Sequence, residues 1–328
     1  MIPNQWYVVL GSNAVKDRPV AVTRLGEKLV FWRDRQGQVA CLLDKCPHRG
    51  VRLSAGAVIA NHLQCPFHGF EFDSRGQVRL IPANGKNAPL PKGMRACGYP
   101  VHEAHGFIWI WWGPNPPADL APPRFFEDID ERFSFGEARD LWKAHYSRAI
   151  ENQLDAVHLP FVHHDTIGRG GKTLVDGPAV KWVDQDMFFV YVRNRIDDGS
   201  KALRPSEVPL DPEPGFKLEF IFPNLWQNHI SDNLRIVVAF VPVDAEHSIL
   251  YLRSYQKFMT IPILAQVVNW LSMPLNLHIL HQDRRVVETQ TPQASALRMG
   301  EFLIPGDYPI VEYRRRRAEL RGESGYPA

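Results

Sequence analysis

Two short loops constrain this chain more than any other part of it. Cys46-Pro47-His48-Arg49-Gly50 and Cys65-Pro66-Phe67-His68-Gly69 together read C-x-H-x16-C-x2-H. Two thiolates and two imidazoles so spaced can hold a [2Fe-2S] cluster, with Cys46 and Cys65 on one iron and His48 and His68 on the other. Neutral imidazoles add no negative charge, so such a cluster takes up an electron more readily than an all-thiolate one. Zinc in a closed tetrahedral site is the competing occupant, but zinc modules usually pair like with like. Here each loop supplies one Cys and one His, and each has the Pro and Gly of a tight turn that aims its ligands at one point.

The surroundings of these loops read as short strands. Trp6–Leu10, Val20–Thr23, Leu29–Trp32 and Val39–Leu43 are rich in β-branched and aromatic residues. Phe70–Phe72 and Val78–Leu80 flank the hairpin signal Asp73-Ser74-Arg75-Gly76. Phe107–Trp112 is a strongly apolar strand, and the prolines that follow, through Pro122-Pro123, cannot donate to a ladder. The expected division is therefore an all-β domain over 1–115 and a second domain over 116–328, with the connector near 113–124.

The second half mixes helix and strand. A helix is expected over Trp142–Leu159, ended by Pro160. Strands are expected at Met187–Arg193, Phe216–Phe222, Arg235–Val241 and Ile249–Tyr255, then a long helix over Pro262–Gln290. Asp197–Gly215 holds four prolines and two glycines, and its length suggests a lid or access loop. The most hydrophobic stretch, Ile261–Leu280, is interrupted by Pro262, Gln266, Asn269, Pro274, Asn276 and His278. It reads as a buried or interface helix and not as a membrane span.

A second set of metal donors lies around residue 158. Asp155, His158 and His163 form D-x2-H-x4-H. Asp155 and His158 are three apart and share a helix face, while Pro160 ends the helix and lets the next turn bring His163 back. Two neutral histidines and one carboxylate make the facial triad of non-haem Fe(II), which leaves positions open for O2. Asp283, in His281-Gln282-Asp283-Arg284-Arg285, is the best source of the carboxylate. His164 is the alternative to His163. His278 and His281 read as packed or solvated, with a pocket or proton-donor role as the alternative.

With both sets in view, the chain resembles the Rieske non-haem iron oxygenases. The resemblance rests on Cys46, His48, Cys65 and His68, on the Trp-rich strand ending at Trp112, on Asn152–His163, and on Asp283 followed by Val286, Val287, Glu288 and Gln290. It implies an α+β chain: an N-terminal all-β Rieske [2Fe-2S] domain, then a helix-grip catalytic domain, an antiparallel sheet with a long C-terminal helix. It implies mononuclear Fe(II) on His158, His163 and Asp283, and head-to-tail homotrimers. Asp155 would bridge a cluster histidine, His68, to His158 across subunits, and Asn152 would support that bridge. The implied activity is hydroxylation, dihydroxylation or oxidative demethylation of a small hydrophobic or aromatic substrate with O2. Electrons would come from a ferredoxin and/or a flavin-dependent NAD(P)H reductase, because the chain has no G-x-G-x-x-G after a strand.

Two other classes compete. An electron carrier needs only about the first third of the chain, and respiratory Rieske subunits resemble C-T-H-L-G-C and C-P-C-H, where Val51 and Phe67 stand here. A binding protein with a vestigial iron site is the third. Lys plus Arg is 38 against 36 Asp plus Glu, so no excess charge argues for nucleic acid or an anionic membrane. The opening Met1-Ile2-Pro3-Asn4-Gln5-Trp6 has no signal-peptide pattern, which points to a cytoplasmic protein. Cys41 and Cys97 are expected as buried free thiols. Arg314–Arg317 reads as a solvated helix face, with docking of an acidic ferredoxin as the alternative. Phe188, Phe220, Phe222, Trp226 and Leu277 are candidates for lining the substrate pocket or for ordinary core.

Overall fold

The computed structural model describes residues 1–114, 116–210 and 217–323. It contains two compact units, Pro3–Pro123 and a second from Arg124 onward that also takes in Met1–Ile2.

The first unit is built from three antiparallel sheets. Gln5–Gly11 pairs with Phe107–Trp112, setting Trp6 opposite Trp111, so the Trp-rich strand is central in its sheet. Glu27–Arg33 and Val39–Leu43 pair in a second sheet, and Val30, Trp32 and Leu42 turn into a core that also holds Leu63, Phe72, Cys46 and Cys65. The Asp73–Gly76 turn forms as expected. Asp73 Oδ1 accepts from the Arg75 and Gln77 amides at 2.9 Å, and Gly76 takes φ 78°, which a side chain would resist. Cys41 is buried, whereas Cys97 is exposed, contrary to expectation; it precedes the two-residue strand Gly98–Tyr99 at a sheet edge, where one side is open.

The second unit is a seven-stranded antiparallel sheet that carries a long helix. The strand order is Ser134–Trp142, Ser248–Gln256, Leu234–Pro242, Leu225–Ser231, Lys217–Ile221, Met187–Arg195 and Leu174–Trp182. Alternation sends Phe188, Phe220, Trp226, Val238, Phe240 and Leu252 to one face, where they form the main core. Phe220 and Phe222 pack on Tyr313 at ring separations of 5.5 and 5.6 Å. Truncating one of these rings to Ala would cost about 3–5 kcal/mol. Phe188, Phe220 and Phe222 are therefore core. Phe216 lies outside the described residues, as do residues 211–215 of the expected lid.

Helix α1 is Tyr146–Leu154, α2 is Leu159–Val162, α3 is Pro262–Val287 and α4 is Tyr308–Leu320. The expected helix over Trp142–Leu159 is thus corrected twice. Trp142 ends a strand, and the helix breaks at Asp155–His158. Pro160 sits in the first turn of α2 instead of ending a helix. A first-turn proline loses no helical hydrogen bond, so it starts this turn as readily as it would stop another.

α3 is long and apolar enough to cross a bilayer by length and composition. It packs against Ser134–Trp142 and Ser248–Gln256, but Ile263 and Trp270 are each 74% exposed, so of the expected buried or interface helix one side is buried and the other is open. On α4, Arg314 and Arg317 are buried, and Arg314 pairs with Glu151 at 2.7 Å. The solvated-face reading fails for these two, because residues three apart on a helix turn to the same side.

Candidate metal centres

The two cluster loops are built the same way. The Cys46 amide donates to Val51 O at 2.8 Å and Gly50 closes back on Cys46 O at 2.9 Å. The Cys65 amide donates to Phe70 O at 2.8 Å and Gly69 closes on Cys65 O at 3.1 Å. Gly50 and Gly69 take φ 74° and 72°, the left-handed region that each tight return requires. Both cysteines are buried at 2% exposure, while His48 and His68 are exposed with ring centres 4.8 Å apart. His48 stacks on Phe70 at 4.8 Å, which fixes its plane.

Burial raises the Cys46 thiol above its ordinary value. The backbone N–H groups of His48 and Arg49 donate to its sulfur and work the other way, and Cys65 lies beside it. Amides aimed at a buried sulfur suit a thiolate bound to positive iron, so the quartet fits a [2Fe-2S] cluster. Three donors within 4.8 Å of one another, the spread that a single ion needs, occur among the described residues in two places, neither of them this quartet.

The first of those places is His158, His163 and Asp283. His158 is the N-cap of α2 and His163 its C-cap, so one helical turn sets their separation, with ring centres 5.2 Å apart. Val162 N donates to His158 O at 2.8 Å and His163 N to Leu159 O at 3.1 Å. The chain then folds back over the turn at Gly168, whose amide donates to His163 O at 2.9 Å. The Leu159 carbonyl occupies the space that a Cβ at Gly168 would need.

Asp283 comes from the C-terminal end of α3 and is 3% exposed. Its Oδ1 stands 2.9 Å from His163 Nε2 and 3.4 Å from His158 Nε2 but has no hydrogen-bonded partner. An orphaned buried carboxylate oxygen facing two imidazole nitrogens fits a divalent cation among the three. Burial alone would raise Asp283, but the facing histidine rings hold it below the ordinary carboxylate range. Burial would likewise lower His158, but Asp155 and Asp283 outweigh it and raise the imidazole to about 9.

Each ring is held from behind. His158 Nδ1 faces Asp155 Oδ2 at 3.4 Å, an ion-pair distance and not a well-formed hydrogen bond. Asp155 is positioned by the α1 break, where its Oδ1 accepts from Val157 N at 2.6 Å. His163 Nδ1 donates to Gln282 Oε1 at 2.8 Å. Gln282 also accepts from Thr166 Oγ1 at 2.8 Å and donates to Asp165 Oδ1 at 2.6 Å. Gln153 Nε2 donates to Asp283 Oδ2 at 3.2 Å. Such contacts fix the tautomer and direct each Nε2 inward.

His164 is exposed and turned to Phe161 O at 3.2 Å, away from the site. His278 is exposed, and His281, 52% exposed, stands 3.4 Å from Asp140. Asn152 borders the site, and its Nδ2 is buried without a partner. The supporting residues Gln153, Gln282, Asp165 and Thr166 escaped sequence reasoning. The available signal was adjacency, since Gln282 precedes Asp283 and Gln153 follows Asn152.

Over the three donors lies a cavity of about 270 Å³. Its walls are mainly aliphatic, with Leu218, Ile236, Val238 and Leu252 from the sheet and Leu280 from α3, and they include Trp226 and Asn228. Leu277 packs against the core instead.

Comparison with known proteins agrees with this construction. Residues 5–95 match the Rieske [2Fe-2S] domain family, and residues 142–323 match the vanillate O-demethylase oxygenase C-terminal domain family. The chain belongs to the Rieske non-haem iron oxygenases. It is 33% identical over 190 residues to the vanillate O-demethylase oxygenase subunit of Pseudomonas sp. (strain HR199 / DSM 7063), covering 56% of this chain and 50% of that protein. It is 35% identical over 163 residues to the dicamba O-demethylase oxygenase component of Stenotrophomonas maltophilia, covering 49% and 48%. These matches span about half the length of those relatives. NdmA of Pseudomonas putida CBB5 has the same fold, with a TM-score of 0.78 at 22% identity over 97% of this chain and 90% of that one.

The other convergent group among the described residues is Asp128, Glu219 and His229, on the sheet face away from the main core. Lys217 already pairs with Glu219 at 2.7 Å and Arg235 with Asp128 at 2.8 Å. Its charges are balanced within the protein, so it reads as a structural ion cluster.

Proposed function

We propose that this chain is the oxygenase component of a system that hydroxylates, dihydroxylates or oxidatively demethylates a small apolar or aromatic substrate with O2. The observation that carries the reading is the buried triad of His158, His163 and Asp283 under an apolar cavity, in a chain that also has the Cys46, His48, Cys65 and His68 loops. Demethylation finds support in the relatives named as vanillate and dicamba O-demethylases.

His158 Nε2, His163 Nε2 and an oxygen of Asp283 would hold Fe(II), which when bound supplies activation of O2 at its open positions. Gln282 keeps the proton of His163 on Nδ1, leaving Nε2 free to ligate. Asp155 Oδ2, 3.4 Å behind His158 Nδ1, sets a negative charge on the far side of that ring. Gln153 holds Asp283 Oδ2, so Oδ1 faces the donors. The aliphatic walls exclude water and hold the substrate over the triad. We assign Asp155 as the link between the two centres, with Asn152 supporting it, and a homotrimer as the assembly that gives this link a partner. Electrons come from a ferredoxin and/or a flavin-dependent NAD(P)H reductase, and the setting is cytoplasmic.

Metal analysis of the purified chain tests the proposal. Three irons per chain are expected. His158→Ala or His163→Ala should lose one of them together with turnover, while the visible spectrum of the cluster persists. Two irons per chain, indifferent to those substitutions, would reduce the protein to an electron carrier.

A further inference from the structure

A second cavity, about 640 Å³, lies beside the metal pocket, and Leu159 and Ile167 line both. Its chemistry differs from that of the inner chamber. Three cations, Arg169, Lys172 and Arg193, line it, against one carboxylate, Asp176. That carboxylate is occupied. Asp176 Oδ2 pairs with Arg195 at 2.8 Å, and Oδ1 accepts from Leu203 N at 2.9 Å. Arg169 is anchored by the Asp165 carbonyl at 2.6 Å and not by a carboxylate. Lys172 and Arg193 are exposed, and neither forms an ion pair among the described residues.

We infer that this outer chamber receives the anionic group of the substrate, so that the molecule is an organic carboxylate or sulfonate with a small apolar body. The inference rests on the oxygenase reading for the word substrate but concerns binding alone. Clustered like charges lining a concavity raise the local concentration of an anion and favour its approach. A guanidinium can grip a carboxylate or sulfonate through two parallel hydrogen bonds. Pro160, Val192, Leu203, Val208 and Pro209 give the outer chamber apolar walls of its own, and through Leu159 and Ile167 they continue into the aliphatic inner chamber, so the apolar body extends from the cations toward the triad. The inner lining carries no Lys or Arg, so the side-chain cations that grip the anion belong to the outer chamber and the two chambers divide one ligand between them.

Calorimetric titration of the full-length chain, with its metals, tests this. The probes are a panel of para-substituted benzoates and benzenesulfonates, each beside its neutral amide. The anions should bind about tenfold more tightly than the amides, a difference of about 1.4 kcal/mol. The preference should shrink as salt rises from about 0.05 M to about 0.5 M. K172Q/R193Q should abolish it, and R193K should retain most of it. Amides that bind as well as anions, a preference that survives K172Q/R193Q, or no binding by any anion of the panel would overturn the inference. A benzoate and benzenesulfonate that behave alike place the selection on charge, and a difference between them names the anion. None of these readings depends on turnover, so failure of the oxygenase reading would appear separately, in iron content and O2 consumption.

Discussion

His163 Nδ1 stands 2.8 Å from Gln282 Oε1, and Gln282 is the residue just before Asp283. One short stretch of α3 thus supplies a metal donor and the group that orients a second donor from a different helix. Any shift of α3 moves both together, which keeps the angle between them.

Replacing Gln282 by Leu removes that acceptor while keeping much of the volume. Metal affinity of the mononuclear site should fall about 10–100-fold, read by competition with a chelator. Gln282→Glu, which keeps an acceptor, should lose less. An unchanged affinity in the Leu variant would remove Gln282 from the site.

His158 titrates near 9, above its ordinary 6.5, because of Asp155 and Asp283. In the metal-free chain the pairing therefore stabilises the fold fully below about pH 6.5, and this is lost as pH rises through about 9. Metal must displace the same proton, so its affinity should climb about tenfold per pH unit up to about 9 and then level off. Zinc or cobalt titrations of the apo chain at several pH values measure this. A flat profile between pH 6.5 and 9 would contradict the pairing.

Asp155→Asn keeps the shape at the α1 break but removes the charge behind His158. Iron content should stay at three per chain while turnover falls by about tenfold or more. The rise of metal affinity with pH should also end lower, since one of the two carboxylates that hold the His158 proton is gone. Unchanged turnover would dismiss Asp155 as a link.

Gly50→Ala and Gly69→Ala place a side chain at φ 74° and 72°. Each should cost about 1–2 kcal/mol by denaturant titration and lower cluster content, read from the visible absorbance. Gly69→Ala should be the worse, because a Cβ there meets Pro82 Cγ at 3.0 Å.

The two candidate cluster loops were legible in the sequence because four donor residues with turn residues beside them have few other uses. The strands of the first unit followed from β-branched and aromatic runs, and Val39–Leu43 and Phe107–Trp112 match residue for residue. The triad was legible only in combination, since Asp283 lies far along the chain from His163. The break between α1 and α2 was not legible. A helix through Leu159 fits local propensity, and what overrides it is Asp155 capping its own backbone and the tertiary pull of the donors. Ser134–Trp142, Leu174–Trp182 and Leu225–Ser231 were missed because their apolar and polar positions alternate too imperfectly for a period of two to stand out. Cys97, Arg314 and Arg317 show the remaining gap, because burial depends on which neighbours the fold brings up.

A helix of one turn cannot stand in water by its own backbone bonds. α2 has only Leu159–Val162 between its two caps, and those caps are His158 and His163. The bite of the chelate therefore rests on the contacts around the turn, from Gln282 to His163 and from Gly168 back to His163 O, and on the cation that draws the two imidazoles together. Loading the centre should shape the floor beneath the bound molecule, so amide exchange across 155–168 would serve as a gauge of occupancy, slow when charged with metal and fast when stripped.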